Sequence, residues 1–143
     1  MKLTRRTIKS PIGLIQEKYW PNQWKMMICC MLLNLTTRKQ VDQIIDELFE
    51  RWPTAKSMSM ADEQEVSTLI QSLGLANKRS KSLIRMSSEW IHRGKKDPIK
   101  IHGIGQYARD AYSLFVEGKI PKVVNDHKLK DYAKWAKKAW KNK

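Results

Sequence analysis

The sequence predicts an all-α fold, and three observations carry that expectation. Apolar residues recur at helical spacing along nearly the whole chain, and no segment alternates with the period of a strand. Proline and glycine fall at the ends of the periodic stretches, at Pro21, Pro53, Gly74, Gly94 and Gly118. The 143 residues suffice for one domain with a real core and not for two. The expected organisation is a single domain over residues 1–143. It has a basic arm at about 1–9, a glycine hairpin at about 97–117, and an aspartate followed by a basic helix at about 124–143.

Taken in order, Ser10 and Pro11 read as an N-cap and a first helical proline, opening a helix that runs to about Trp20. A second helix covers roughly 23–33. It is apolar all round, from Met26 through Leu33, and so belongs in the core. Thr37 caps a third, whose face is Val41, Ile44, Ile45, Leu48, Phe49 and Trp52 before Pro53 stops it. Val66, Leu69, Ile70 and Leu73 mark a fourth, closed by Gly74. Leu83, Ile84, Met86, Trp90 and Ile91 mark a fifth, closed by Gly94. Asp97 and Pro98 start a short helix leading into Ile101-His102-Gly103-Ile104-Gly105-Gln106-Tyr107, and a helix from Gln106 to Glu117 follows. Leu129, Tyr132, Ala133, Ala136 and Trp140 mark the last.

Charge names the class of partner. Lys and Arg number 28 against 14 Asp and Glu, a formal charge of +14. This balance points to a polyanion, nucleic acid first and an acidic membrane surface second. The charge gathers at the ends, with Lys2, Arg5, Arg6 and Lys9 before the first acid and seven lysines after His127 against Asp131 alone. Such termini suit phosphate contacts that weaken with salt. The two cysteines, Cys29 and Cys30, are adjacent in an apolar run and read as buried thiols. They are too few for a four-thiolate zinc or iron–sulfur site. No apolar run approaches membrane-spanning length, and the N-terminus lacks a signal core, so the expectation is an intracellular protein of a reducing compartment.

Two segments carry candidate chemistry. In the first, Gly103 and Gly105 allow a tight turn and leave bare amides at the start of the next helix, which bind phosphate without reading sequence. In a basic chain this reads as a helix-hairpin-helix nucleic-acid clamp, with a plain interhelix turn as the alternative. The second segment is Asn125-Asp126-His127-Lys128-Leu129. Asp126 reads as a helix cap, and a carboxylate held ionised by helix amides can also stabilise a cationic sugar or deprotonate an attacking water. Cleavage of an N-glycosidic bond passes through such a sugar.

Taken together, several stretches resemble the thymine DNA glycosylases of the helix-hairpin-helix superfamily. They are Ser10 and Pro11 with Leu14-Ile15-Gln16-Glu17, Trp24-Lys25, Leu33-Asn34-Leu35-Thr36, Leu73-Gly74-Leu75, the hairpin from Ile101 to Tyr107, and Asp126-His127-Lys128-Leu129. The resemblance implies an enzyme that flips a mismatched or damaged pyrimidine out of double-stranded DNA and hydrolyses its glycosidic bond. The base would be thymine or uracil opposite guanine, or a 5-substituted uracil. By resemblance Asp126 is the catalytic carboxylate. Tyr107 stands where bifunctional relatives carry a Schiff-base lysine, which implies a monofunctional enzyme that leaves an abasic site. Gln16, with Tyr107, lines the base pocket, and Leu73 is the residue that wedges into the duplex. Leu35 occupies the place of an arginine plug, which puts preference for an opposite guanine in doubt. His102, Gly103, Ile104, Gly105, Gln106 and Lys128 are the remaining expected DNA contacts. The resemblance implies no cofactor, apart from room for a monovalent cation at the hairpin, and no catalytic metal. It implies a monomer located with the DNA, in nucleus or nucleoid. As a departure from the family, no methyl-CpG-binding domain is expected before the catalytic region, so targeting to methylated sites is not implied. Two alternatives stay open: a non-catalytic DNA-binding module on this scaffold, and a glycosylase-like enzyme that modifies thymine in viral DNA.

Overall fold

The computed structural model describes residues 7–93 and 100–141, and these form eight α-helices and no strand. The basic-arm residues Lys2, Arg5 and Arg6, the Gly94 stop, the Asp97 and Pro98 helix start and the terminal Lys143 lie outside the described residues.

Helix α1 (Ile15–Tyr19) is shorter than the sequence pattern suggests. Gly13 adopts φ +68°, a left-handed angle that keeps a helix from starting at Pro11. Ser10 is not an N-cap. Its amide and hydroxyl instead donate to the Glu17 carboxylate at 2.6 and 2.8 Å, and the Leu14 amide donates to the same group at 2.7 Å. Glu17 is buried, and these donors replace the water it has lost. The result is a tight loop over residues 10–14 that Arg38 pins from outside through a 2.7 Å bond to the Gly13 carbonyl.

Helix α2 (Gln23–Leu32) is the centre of the core, with Met26, Met27, Ile28, Cys29, Cys30 and Leu32 all buried. Asn22 caps it through the Lys25 amide. Helices α1, α3 (Arg38–Arg51), α6 (Ala76–His92) and α7 (Gln106–Tyr112) pack around it. The amphipathic face expected of α3 is the one it buries, and its Thr37 and Gln40 form the reciprocal capping pair.

Helix α4 (Ala55–Ser59) has no counterpart in the periodicity, because five residues are too few to show a face. Its sign is the cap, Thr54 accepting from the Ser57 amide. The fourth apolar stripe is divided. It forms α5 (Glu63–Leu69) and then a 3₁₀ turn at Gln71–Leu73, so that Ile70 and Leu73 both turn inward. Helices α4 and α5 lie on α6. The helix after the hairpin begins as α7 and continues through a π-helical turn at Ser113–Glu117, ending where Gly118 takes φ +70°.

Helix α8 (His127–Lys141) buries Leu129, Tyr132, Ala133 and Ala136. It also holds Thr7 and Ile8 against its side. Tyr132 donates to the Ile8 carbonyl at 2.6 Å, and the Trp140 indole donates to that of Thr7 at 2.7 Å. Among the described residues no helix is long and apolar enough to cross a membrane.

A candidate base-binding cleft between the hairpin, the first loop and helix 6

The loop before α1, the turn after α2, the start of α6, the hairpin and the start of α8 meet around a cleft of about 890 Å³. Gln16, Leu35, Gly103, Gly105, Gln106, Tyr107, Asp126 and Lys128 all line it. These sequence-predicted residues, spread from Gln16 to Lys128 along the chain, therefore share one cavity. Arg38, Lys78, Arg79 and Lys128 are the cations of its wall, and Asp126 is its one acid among the described residues.

The interior of the cleft is built from Gln16 and Tyr107. Gln16 is fully buried, and its Nε2 donates to the Tyr107 hydroxyl at 2.8 Å and to the Cys30 sulfur at 3.3 Å. Its Oε1 has no hydrogen-bond partner among the described residues. A buried acceptor without a donor costs about 1–3 kcal/mol, which folding alone gives no reason to keep. A base edge carrying an N–H would supply the missing donor. Burial is the main cause holding the Tyr107 phenol far above its ordinary value, with the nearby Cys30 adding to it. The phenol therefore stays protonated at neutral pH and serves as a hydrogen-bond donor. Burial likewise pushes the Cys30 thiol up to about 12, so it is a neutral wall group and not a nucleophile.

Asp126 caps α8 and also stands on the cleft wall. Its Oδ2 accepts the Leu129 amide at 2.9 Å, capping α8. Oδ1 has no hydrogen-bond partner among the described residues, and the residue is exposed on the cleft wall. Its negative charge adds to the upward shifts of both Tyr107 and Cys30, after burial.

The hairpin uses its two glycines differently. Gly103 takes φ +86°, and a Cβ there would lie 2.5 Å from the Met31 Cε. Gly105 has φ −92°, an angle open to any residue, and open space around its Cα. As the N-cap of α7 it brings no side chain to its first-turn amides. The expectation that both glycines are needed for the turn therefore holds only for Gly103. Ile104 is buried in the core, and its amide is spent inside the turn on the Ile101 carbonyl at 3.2 Å. Neither group is free for DNA. His102 is outside the cleft lining: its ring nitrogen meets the Ser82 hydroxyl at 3.2 Å, and its amide donates to Glu89.

Leu73 is also displaced from its expected role. It is 6% exposed and packs in the core, whereas Leu75, two residues on, is 61% exposed on the cleft rim. A sequence signal for Leu75 did exist. It is a large apolar residue directly after a stripe-ending glycine, out of phase with the stripe. Cys30 and the wall cations Arg38, Lys78 and Arg79 carry no motif and become visible only in the folded cavity.

Comparison with known proteins identifies the family. The profile of the family described as "HhH-GPD superfamily base excision DNA repair protein" matches residues 28–143. The chain is 38% identical over 125 residues to an Arabidopsis thaliana protein named "Methyl-CpG-binding domain protein 4-like protein", covering 87% of this chain and 28% of that one. It is 33% identical over 91 residues to the "Thymine-DNA glycosylase" of Aeropyrum pernix, covering 59% and 41%. A "Thymine/uracil-DNA glycosylase" of Pyrobaculum aerophilum is 31% identical over 103 residues, covering 67% and 45%. The chain thus spans less than half the length of these relatives. Among solved structures, that of a thermostable thymine-DNA glycosylase superposes with a TM-score of 0.63 at 23% identity, covering 68% of this chain and 48% of that one; it supports the fold. By sequence profile, relatives and fold, this chain belongs to the HhH-GPD superfamily of base excision DNA repair proteins.

Proposed function

We propose that this chain is a monofunctional DNA glycosylase acting on a mismatched or damaged pyrimidine in double-stranded DNA. The observation that carries the reading is the Gln16 amide. It is buried and lines the cleft, tied at one end to Tyr107 and, among the described residues, unpartnered at the other, in a cavity whose one acid among those residues is Asp126. Gln16 Oε1 is suited to accept the N3–H of a flipped thymine or uracil. The Tyr107 hydroxyl, which already accepts from Gln16, is suited to donate to one of the base's carbonyl oxygens.

In the reaction the C1′–N1 bond breaks and its electron pair leaves on the base. The base spreads that charge over its two carbonyls, and Tyr107 donates a hydrogen bond to one of them. Asp126 faces the cationic sugar, and its free oxygen takes a proton from the water that adds at C1′. Tyr107 offers no amine, so this position supplies no Schiff base and the product is an abasic site. The chemistry as written requires no cofactor or metal. Substrates are thymine or uracil opposite guanine and 5-substituted uracils, the working unit is a monomer, and the place of action is where the DNA is.

The test is base release from a panel of duplexes carrying uracil, thymine or 5-hydroxymethyluracil opposite each base. The expected result is a free base and strand breaks that appear only after alkali, with no borohydride-trapped protein–DNA adduct. Tight duplex binding without base release on any substrate would leave a non-catalytic module. A base of altered mass retained in the DNA would show modification instead.

A further inference from the structure

Two leucines at the mouth of the cleft are built at a cost. Leu35 is 82% exposed with φ +60°, and Leu75 is exposed with φ +51°. They are the two non-glycine residues with positive φ among the described residues, and both line the same cleft. A left-handed angle costs a residue with a Cβ about 1–2 kcal/mol, and an exposed leucine recovers none of it by burial. Strain of this kind, doubled at one opening, marks a place where the side chains must project outward.

One residue ties the two turns together. Arg79, on α6, donates Nη2 to the Asn34 carbonyl at 2.7 Å and Nε to the Gly74 carbonyl at 2.9 Å. Each acceptor belongs to the residue immediately before a leucine. A carbonyl and the following N–Cα bond lie in one rigid peptide plane. The planar guanidinium therefore sets the orientation of both planes from which Leu35 and Leu75 hang, and with it the spacing of the two side chains. A lysine ammonium is a point charge on a flexible stem and cannot hold two planes in this way. Thr36 braces the Leu35 turn further, through its hydroxyl on the Leu32 carbonyl and its amide on that of Leu33.

We infer that Arg79 is a positioning residue, which fixes the gap at which Leu35 and Leu75 meet the base stack. The inference rests on the proposed base-flipping reading. Insertion of apolar side chains at a base step offsets unstacking only when they arrive together at the right separation. Arg79 acts on the DNA through the leucines.

The experiment is a mutant cycle on base extrusion, read as the rise in fluorescence of 2-aminopurine placed beside the target uracil of a U:G duplex. This readout needs no bond cleavage, so the positioning role and the glycosylase reading can fail separately. Arg79→Lys, which keeps the charge, should reduce the extrusion signal at saturating protein about tenfold. Arg79→Gln should do the same. The Leu35→Ala/Leu75→Ala pair should reduce it at least as much, and adding Arg79→Lys to that pair should change nothing more. Thermal melting without DNA identifies any variant that fails to fold, and Arg79→Gln then stands in for Arg79→Lys. An unchanged signal in folded Arg79→Lys, or an equal further loss in the background lacking both leucines, would overturn the assignment.

Discussion

The two hairpin glycines separate what the fold requires from what the ligand requires. Replacing Gly103 with alanine keeps φ at +86° unless the turn moves, at a cost of about 1–2 kcal/mol for a residue with a Cβ. The new methyl also lies 2.5 Å from Met31 Cε and 3.1 Å from its sulfur, inside contact distance. Methionine is flexible, so the thioether swings aside for roughly a further 1 kcal/mol. Gly103→Ala should therefore lose about 2–3 kcal/mol in urea denaturation of the DNA-free protein. Removing the obstacle tests the division of that figure. Between Met31→Ala and Met31→Ala/Gly103→Ala, only the dihedral part of about 1–2 kcal/mol should remain. Gly105→Ala meets no atom within 4 Å and needs no special angle. Its stability should stay within about 0.5 kcal/mol of the parent, because a modestly poorer N-cap is offset by a less flexible unfolded chain. If the hairpin clamps DNA as proposed, its duplex affinity should fall, because the methyl would stand beside the amides offered to a phosphate. A Gly103→Ala protein as stable as the parent, or a Gly105→Ala protein that loses as much as Gly103→Ala, would refute this account of the turn.

Three further outcomes follow from the same structure. Leu73→Ala should cost about 2–5 kcal/mol of stability as a core cavity and leave extrusion per folded molecule intact; Leu75→Ala should do the reverse, as read by melting and by 2-aminopurine fluorescence. Lys78→Gln combined with Lys128→Gln removes two cations from the cleft wall and should lower the slope of log affinity against log salt by about 2. The Cys30 thiol is raised in the folded state from 9.0 to about 12, so the unfolded chain ionises first as pH rises. Its contribution is full below pH 9 and should be lost at up to about 1.4 kcal/mol per pH unit until the folded thiol ionises too. Cys30→Ser, which does not titrate there, should flatten urea midpoints measured from pH 9 upward.

What could be read from the residues was set by periodicity and caps. The faces of α3 and α8, the apolar burial of α2 and the capping role of Asp126 all follow from local spacing, and the structure has them. The failures have physical causes. Ser10 and Pro11 look like a helix start, but the left-handed Gly13 and the buried Glu17 turn that stretch into a loop. Leu73 fits both a stripe and a wedge. The 3₁₀ turn at Gln71–Leu73 decides between them by rotating it inward and presenting Leu75. Ile104 and His102 belong to the hairpin motif, yet the turn consumes the one and α6 the other. The guanidinium bond pair of Arg79 joins Asn34 to Gly74 across 40 residues of chain, and no local pattern announces a contact of that kind.

The account depends most on Asp126 as the group that faces the sugar. The direct measurement is single-turnover release of uracil from a U:G duplex by Asp126→Asn, beside its equilibrium affinity for the same DNA. Asparagine retains an oxygen that can accept the Leu129 amide, so the α8 cap and the fold should persist. The account predicts that release falls by roughly 10²–10⁴-fold while duplex affinity is kept. Release at the parental rate by a folded, DNA-bound Asp126→Asn protein would contradict it.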